Sequence, residues 1–224
     1  TKSAYESALE TAGNDVTKLD LEQAVESWTS GGEAKKLTLG NGEYVMVETV
    51  APDGYTIAGA IAFSVNAGKV YVGTEEKQDS TILMNDTISK INISKKDIAD
   101  KSDAEAADIP DAVMKLTATD TDTDLTKINI TGGTRSDLPT QSKNVIAWTN
   151  DGTTTLEMLP NGEYTLEETT APDGYTKVTT IFKFTIANGV ITGADTVTDG
   201  TVTRDGDTIT VWDTISTISI NKTD

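Results

Sequence analysis

The 224-residue chain contains no cysteine and no histidine. Without cysteine there is no disulfide, thiolate nucleophile or sulfur-ligated metal, and without histidine there is no imidazole base and no Ser-His-Asp triad. Aromatic residues are scarce, at 5%, and no apolar run approaches the roughly 20 residues of a membrane span. Basic residues are few: 18 Lys and Arg face 36 Asp and Glu, a formal net charge of −18. That balance speaks against nucleic acid, whose phosphates need clustered cations, and against docking on or inserting into an anionic membrane. No signal-peptide pattern follows Thr1, so the chain reads as a segment of a longer, exported protein. Neither a cofactor nor a metal is expected.

What is present is a repeat. Asn41–Thr56 reads NGEYVMVETVAPDGYT and Asn161–Thr176 reads NGEYTLEETTAPDGYT, with a spacing of 161 − 41 = 120. Trp28 and Trp148 keep that spacing. Asp86-Thr87-Ile88-Ser89 returns as Asp213-Thr214-Ile215-Ser216, now 213 − 86 = 127 apart, which places a small insertion near Asp195–Asp207. Ile91–Asp97 returns at the same spacing as Ile218–Asp224. The chain is thus a window on a tandem array. A first domain, 1–88, lacks its opening strand, a complete domain spans 89–215, and 216–224 is a linker bearing the opening strand of a following repeat.

Short alternating runs bounded by Asn-Gly and Asp-Gly pairs, with abundant Thr, predict β-strands joined by tight turns. In the second domain these are Ile91–Lys95, Ala112–Thr117, Thr154–Met158, Tyr164–Glu168, Thr180–Ile186, Val190–Thr192 and Thr208–Asp213. The fold class is all-β, two tandem immunoglobulin-like β-sandwiches. Weaker helical spacing in Tyr5–Ala12 and Leu19–Trp28 allows short helices in the first. Trp28 and Trp148 are expected to pack inside their copies. Trp212, out of phase with the core, is expected to pack on a neighbouring domain or the tail.

Strand parity supplies the chemistry. Alternate residues share a face, so Lys95 is in phase with Ile91 and Ile93, Glu168 with Tyr164 and Leu166, and Asp213 with Ile209 and Val211. Glu48 and Asp86 repeat the pattern in the first copy, and Lys222 is in phase with Ile218 and Ile220. Unpaired buried charge is costly, and this recurrence on apolar faces is hard to ascribe to strand ends that curl back to water. The boxes Glu48–Tyr55 and Glu168–Tyr175 resemble the E-box of the Cna protein B-type domains of Gram-positive surface adhesins and pilins. Ile91–Asp97 is similar to their lysine strand and Ile209–Asp213 to their closing strand. Asp111 departs from the family, which usually has glycine there.

The resemblance implies a cell-surface stalk repeat, wall-anchored through its parent, whose partners are the neighbouring repeats of the same polypeptide. It implies an intramolecular isopeptide bond from Lys95 to Asp213 with Glu168 as catalytic proton shuttle. Glu48 and Asp86 would hold the matching roles in the first copy, and Lys222 would serve a following domain. An amine attacks only when neutral and a carboxyl is an electrophile only when protonated, and burial favours both neutral forms. Each site would react once, so the chain is not a turnover enzyme.

Other readings remain open. A two-carboxylate glycosidase lacks a distinctive cleft pair and aromatic platforms. Asp120-Thr121-Asp122-Thr123-Asp124 resembles the start of a calcium loop but lacks the turn-forming Gly and the final Glu ligand that such a loop needs. A host extracellular ligand would meet a loop such as Thr131–Asn144. The tail of one molecule would also be able to pair with the first domain of the next, setting Lys222 near Asp86 in a head-to-tail association.

Overall fold

The computed structural model describes residues 1–136 and 142–223. The chain divides into two compact units: 1–51 with 57–87, and 52–56 with the chain from Ile88 onward. In chain order the elements up to that boundary are helix α1 (Lys2–Thr11) and strands β1 (Gly42–Met46), β2 (Tyr55–Thr56), β3 (Ile61–Asn66), β4 (Lys69–Val72), β5 (Glu75–Glu76) and β6 (Thr87–Ile88). Then follow β7 (Lys90–Asp97), β8 (Val113–Ala118), β9 (Asn129–Ser136), β10 (Val145–Glu157), β11 (Gly162–Thr170), β12 (Tyr175–Thr176), β13 (Phe182–Ala187), β14 (Val190–Ala194), β15 (Val202–Asp205) and β16 (Thr208–Ile215). No helix among the described residues is long and apolar enough to cross a membrane.

In the first unit β1, β3, β4 and β5 form one antiparallel sheet in that order. Tyr44 stacks on Phe63 at 5.5 Å. Residues 2–11 form the first of the two expected helices, with Tyr5, Ala8 and Leu9 half-buried at helical spacing. The second, Leu19–Trp28, does not form: a single 3₁₀ turn at Leu21–Gln23, capped by the Asp20 side chain, ends at Ala24 in extended backbone. The Thr29-Ser30-Gly31-Gly32 run that follows is poor in helix formers. Trp28 lies on irregular chain and is 40% exposed, so it is not packed into a core as expected. Residues 81–86 also form no strand, although exposure still alternates and leaves Asp86 half-buried. In the second unit the corresponding strand, β16, is held between β7 and β15.

The second unit is a sandwich. One layer runs β12-β16-β7-β10 and the other β10-β8-β11-β13-β14, with β15 on β16 and β9 on β10. β10 belongs to both layers: Val145–Thr149 pairs with β8 and Thr154–Glu157 pairs with β7. Its partner β9 shifts register between Asn150 and Thr155. At that crossing Gly132 has φ +69, and a Cβ there would lie 2.1 Å from the Thr153 carbonyl oxygen, so only glycine fits. Buried Asn150 fixes the corner, accepting from Ala112 N–H at 2.7 Å and donating to the Ile109 carbonyl at 2.7 Å. Asp111, between them, has φ +69, the conformation a glycine adopts at no steric cost. Inward side chains of both layers, among them Ile91, Ile93, Leu116, Trp148, Leu166, Phe184, Ile209 and Val211, form one core.

The alternating runs thus become the strands they predict, to within about two residues at their ends, but β9, the first half of β10, β12 and β15 were not among them. β15 also corrects the reading of Trp212. That side chain faces outward yet is only 8% exposed, because its indole N–H donates to Thr203 Oγ1 on β15 at 2.8 Å and the Lys101 ammonium sits 5.8 Å above its ring. The two repeat tryptophans should therefore differ in weight. Trp148 is fully buried and donates to Thr154 Oγ1 at 3.0 Å. Trp148→Ala is expected to cost about 3–5 kcal/mol and Trp28→Ala under about 0.5 kcal/mol, measured by chemical denaturation followed by circular dichroism.

Candidate functional site

Lys95 and Asp213 come from adjacent strands. β7 and β16 run parallel, with Ile93 opposite Ile209 and Lys95 opposite Val211. Asp213, one pleat beyond Val211, therefore shares the inner face with Lys95 and lies diagonal to it. Glu168 comes from the other layer, near the end of β11, where it pairs with Met114 of β8. The apolar neighbours that keep these strands together are what drag three ionisable groups inside: Lys95 is 1% exposed, Glu168 4% and Asp213 0%. The out-of-phase neighbours Lys96 and Glu167 are half-buried.

The Lys95 amine is shared between the two acids. Nζ donates to Asp213 Oδ1 and lies 2.9 Å from Glu168 Oε1. Glu168 Oε2 accepts the Val178 main-chain N–H at 2.7 Å. Glu168 Oε1 is near Nζ but off the direction of a hydrogen bond, and it and Asp213 Oδ2 are buried oxygens without a hydrogen-bond partner among the described residues. Burial pushes the Asp213 carboxyl up to about 6, the Lys95 amine opposes that rise, and the Glu168 carboxyl adds to it. The site therefore sets a carboxyl that binds its proton more tightly than usual in contact with a buried amine.

The other candidate residues are not gathered into such a site. Glu48 is half-buried and its Oε2 accepts the Ala58 N–H at 2.7 Å, the contact Glu168 makes ten residues on with Val178. Asp86 is half-buried on irregular chain, and Lys222 lies on the exposed irregular segment after β16. The acidic run is engaged in its own turn: Asp120 accepts from Asp122 N–H, Asp124 caps Thr126, and Lys143 and Lys127 pair with Asp122 and Asp124. Of the Thr131–Asn144 segment, Thr131–Ser136 belongs to β9 and 137–141 lie outside the described residues. The Val178 N–H escaped sequence reasoning because a main-chain donor has no side-chain signature, although the repeated ten-residue spacing from the E-box Glu carries it.

The raised Asp213 pKa makes a signed prediction. In an unlinked Lys95→Met chain, the protonated Asp213 favours the folded state, so its contribution is present below about pH 4 and is lost as pH rises through the folded value, which without the amine lies above about 6. The melting temperature of Lys95→Met is expected to fall between pH 4 and 7, and Asp213→Asn in that background is expected to flatten the slope.

Comparison with known proteins gives the family. No curated protein matches the chain. Among solved structures it is similar to the pilus adhesin RrgA from Streptococcus pneumoniae, at 18% identity over 74% of this chain and 21% of that one, with a TM-score of 0.41. A C-terminal fragment of the pilus adhesin SpaC from Lactobacillus rhamnosus GG matches at 16% identity over 83% of this chain and 80% of that one, TM-score 0.35. The group B streptococcus pilus 2b backbone protein matches at 17% identity over 76% and 53%, TM-score 0.32. The chain thus spans about a fifth of RrgA and about half of the pilus 2b backbone protein. The prealbumin-like fold domain named SpaA matches residues 2–79 and 89–201, most of both units, and the chain belongs to that family.

Proposed function

We propose that the chain is a structural stalk repeat of a Gram-positive surface adhesin or pilin, held together by an autocatalytic isopeptide bond between Lys95 and Asp213. The observation that carries this reading is the fully buried Lys95 amine in contact with one carboxyl and 2.9 Å from a second. Neutral Lys95 Nζ attacks Asp213 Cγ, a C–N bond forms and a C–O bond breaks. Nζ gives up one proton to Glu168, and Glu168 gives one to the departing oxygen, which leaves as water. Glu168 ends as it began. Contact distance replaces a bimolecular encounter, and burial favours the protonated form of the Asp213 carboxyl that the attack requires. No cofactor or metal takes part.

The bond closes a loop between positions 118 apart. By chain entropy a link over a ~100-residue loop is worth about 4–5 kcal/mol, a figure developed for disulfides, and this chain has no cysteine to make one. β7 and β16 are the adjacent strands through which the unit continues to its neighbours, so a bond between them carries tension without loading the sandwich. Glu48 and Asp86 belong to the corresponding site of the first copy, and Lys222 to that of a following one. The setting is extracellular, in a longer wall-attached protein, with neighbouring repeats as partners.

Intact mass under denaturing conditions tests the reading. The chain is expected to weigh one water less than its sequence, and Lys95→Ala, Asp213→Ala and Glu168→Ala are each expected to restore the full mass. A full mass in the unsubstituted chain would leave only a buried ion pair and end the cross-link reading.

A further inference from the structure

The two oxygens of Glu168 have different surroundings. Oε2 accepts the Val178 N–H at 2.7 Å in the interior. Oε1 faces Lys95 Nζ at 2.9 Å and accepts no hydrogen bond from the described residues. The first unit repeats half of this: Glu48 Oε2 accepts the Ala58 N–H, also at 2.7 Å and also ten residues on. The donor in the second unit is itself anchored. Tyr175 and Thr176 of β12 pair with Ile215 and Thr214, immediately after Asp213, and Ser216 N–H donates to the Gly174 carbonyl at 2.8 Å. The segment that ends at Val178 thus holds the shuttle with its end and the acceptor strand with its middle.

We propose that the Val178 main-chain N–H is the positioning group of the cross-linking site: it reserves Oε2 as the accepting oxygen and so puts the acid proton of Glu168 on Oε1, the oxygen facing Lys95. This rests on the cross-link reading. A neutral carboxyl has one carbonyl oxygen and one hydroxyl, and the carbonyl oxygen is the better acceptor for an N–H. A proton on Oε2 would set a hydroxyl against the amide and leave a buried hydroxyl hydrogen without an acceptor, which costs roughly 1–3 kcal/mol. Protonation on Oε1 avoids this and aims the proton at the reacting atoms. It also lets Oε1 hand that proton to the departing oxygen, while the proton from Nζ returns Glu168 to its starting state. The N–H touches no reacting atom; it acts through the orientation and protonation of Glu168.

The test removes that hydrogen alone. Val178 is replaced by its hydroxy-acid counterpart during cell-free synthesis, turning the amide into an ester, and the loss of water is followed by intact mass over time. Val178→Ala and Val178→Leu, which keep the N–H, serve as controls. The ester chain is expected to lose water about tenfold more slowly, the loss of one hydrogen bond's worth of positioning, and the controls at the normal rate. Infrared spectra of the unlinked Lys95→Met chain, labelled with ¹³C at the Glu168 carboxyl, supply a readout that packing would not move. A single hydrogen-bonded acid carbonyl band is expected there, shifting to higher frequency in the ester chain. If the unsubstituted chain loses no water, the cross-link reading fails and this proposal with it. If it loses water and the ester chain matches its rate, only the role of Val178 is overturned. Should the ester chain not fold, the infrared band of the amide chain decides: a free carbonyl or a carboxylate pair of bands overturns the assignment.

Discussion

The second unit is organised around one costly act, the burial of the Lys95 amine. Taking an isolated charge out of water costs several kcal/mol even after the surroundings relax. The interior offers the amine two carboxyls, from Asp213 beside it and Glu168 across the core. Ile91, Ile93, Ile209 and Val211 hold β7 and β16 in parallel register, and that register leaves the amine no route to water. The cost is tolerable if the three groups share their protons as neutral species, and it disappears if the amine and the Asp213 carboxyl condense to an uncharged amide.

This explains why the bend in the β9–β10 hairpin matters to a site it does not touch. Because β10 pairs with β8 in one layer and with β7 in the other, it ties the layer that carries Glu168 to the layer that carries Lys95 and Asp213. Gly132 and Asn150 make that crossing possible, the first by having no side chain and the second by satisfying a corner of the main chain in the interior. The same device is not seen in the first unit, where the chain from Val25 to Leu39 forms no strand. There Glu48 keeps its main-chain partner while remaining half-buried. The contact from the E-box Glu to the N–H ten residues on is therefore a local property of the box, and burial of the Glu is a property of the surrounding sandwich.

The acidity of the chain has little to do with this chemistry. Most carboxylates sit at the surface, capping turns as Asp15, Asp124 and Asp199 do, where hydrogen bonds to the charged form hold them below the ordinary range. Their common sign adds electrostatic repulsion between copies of the chain.

Much of this was legible in the residues. The repeat, the strands around alternating Ile, Val and Thr, and the parity that turns Lys95, Glu168 and Asp213 inward all follow from period-two geometry, which a sequence states directly. Parity names a face but not what lies opposite it. The sequence could not say that β10 spans both layers, that β15 covers Trp212, or that Leu19–Trp28 makes a single turn of 3₁₀ helix, because each depends on hydrogen-bond partners distant in the chain. Nor could it tell the two oxygens of Glu168 apart. The composition determined that any link in this protein has to be made without sulfur or imidazole. The family resemblance named Lys95, Asp213 and Glu168 together, and only the tertiary structure decided the geometry in which they meet, because a strand's register against its neighbours is set by the packing of the whole core.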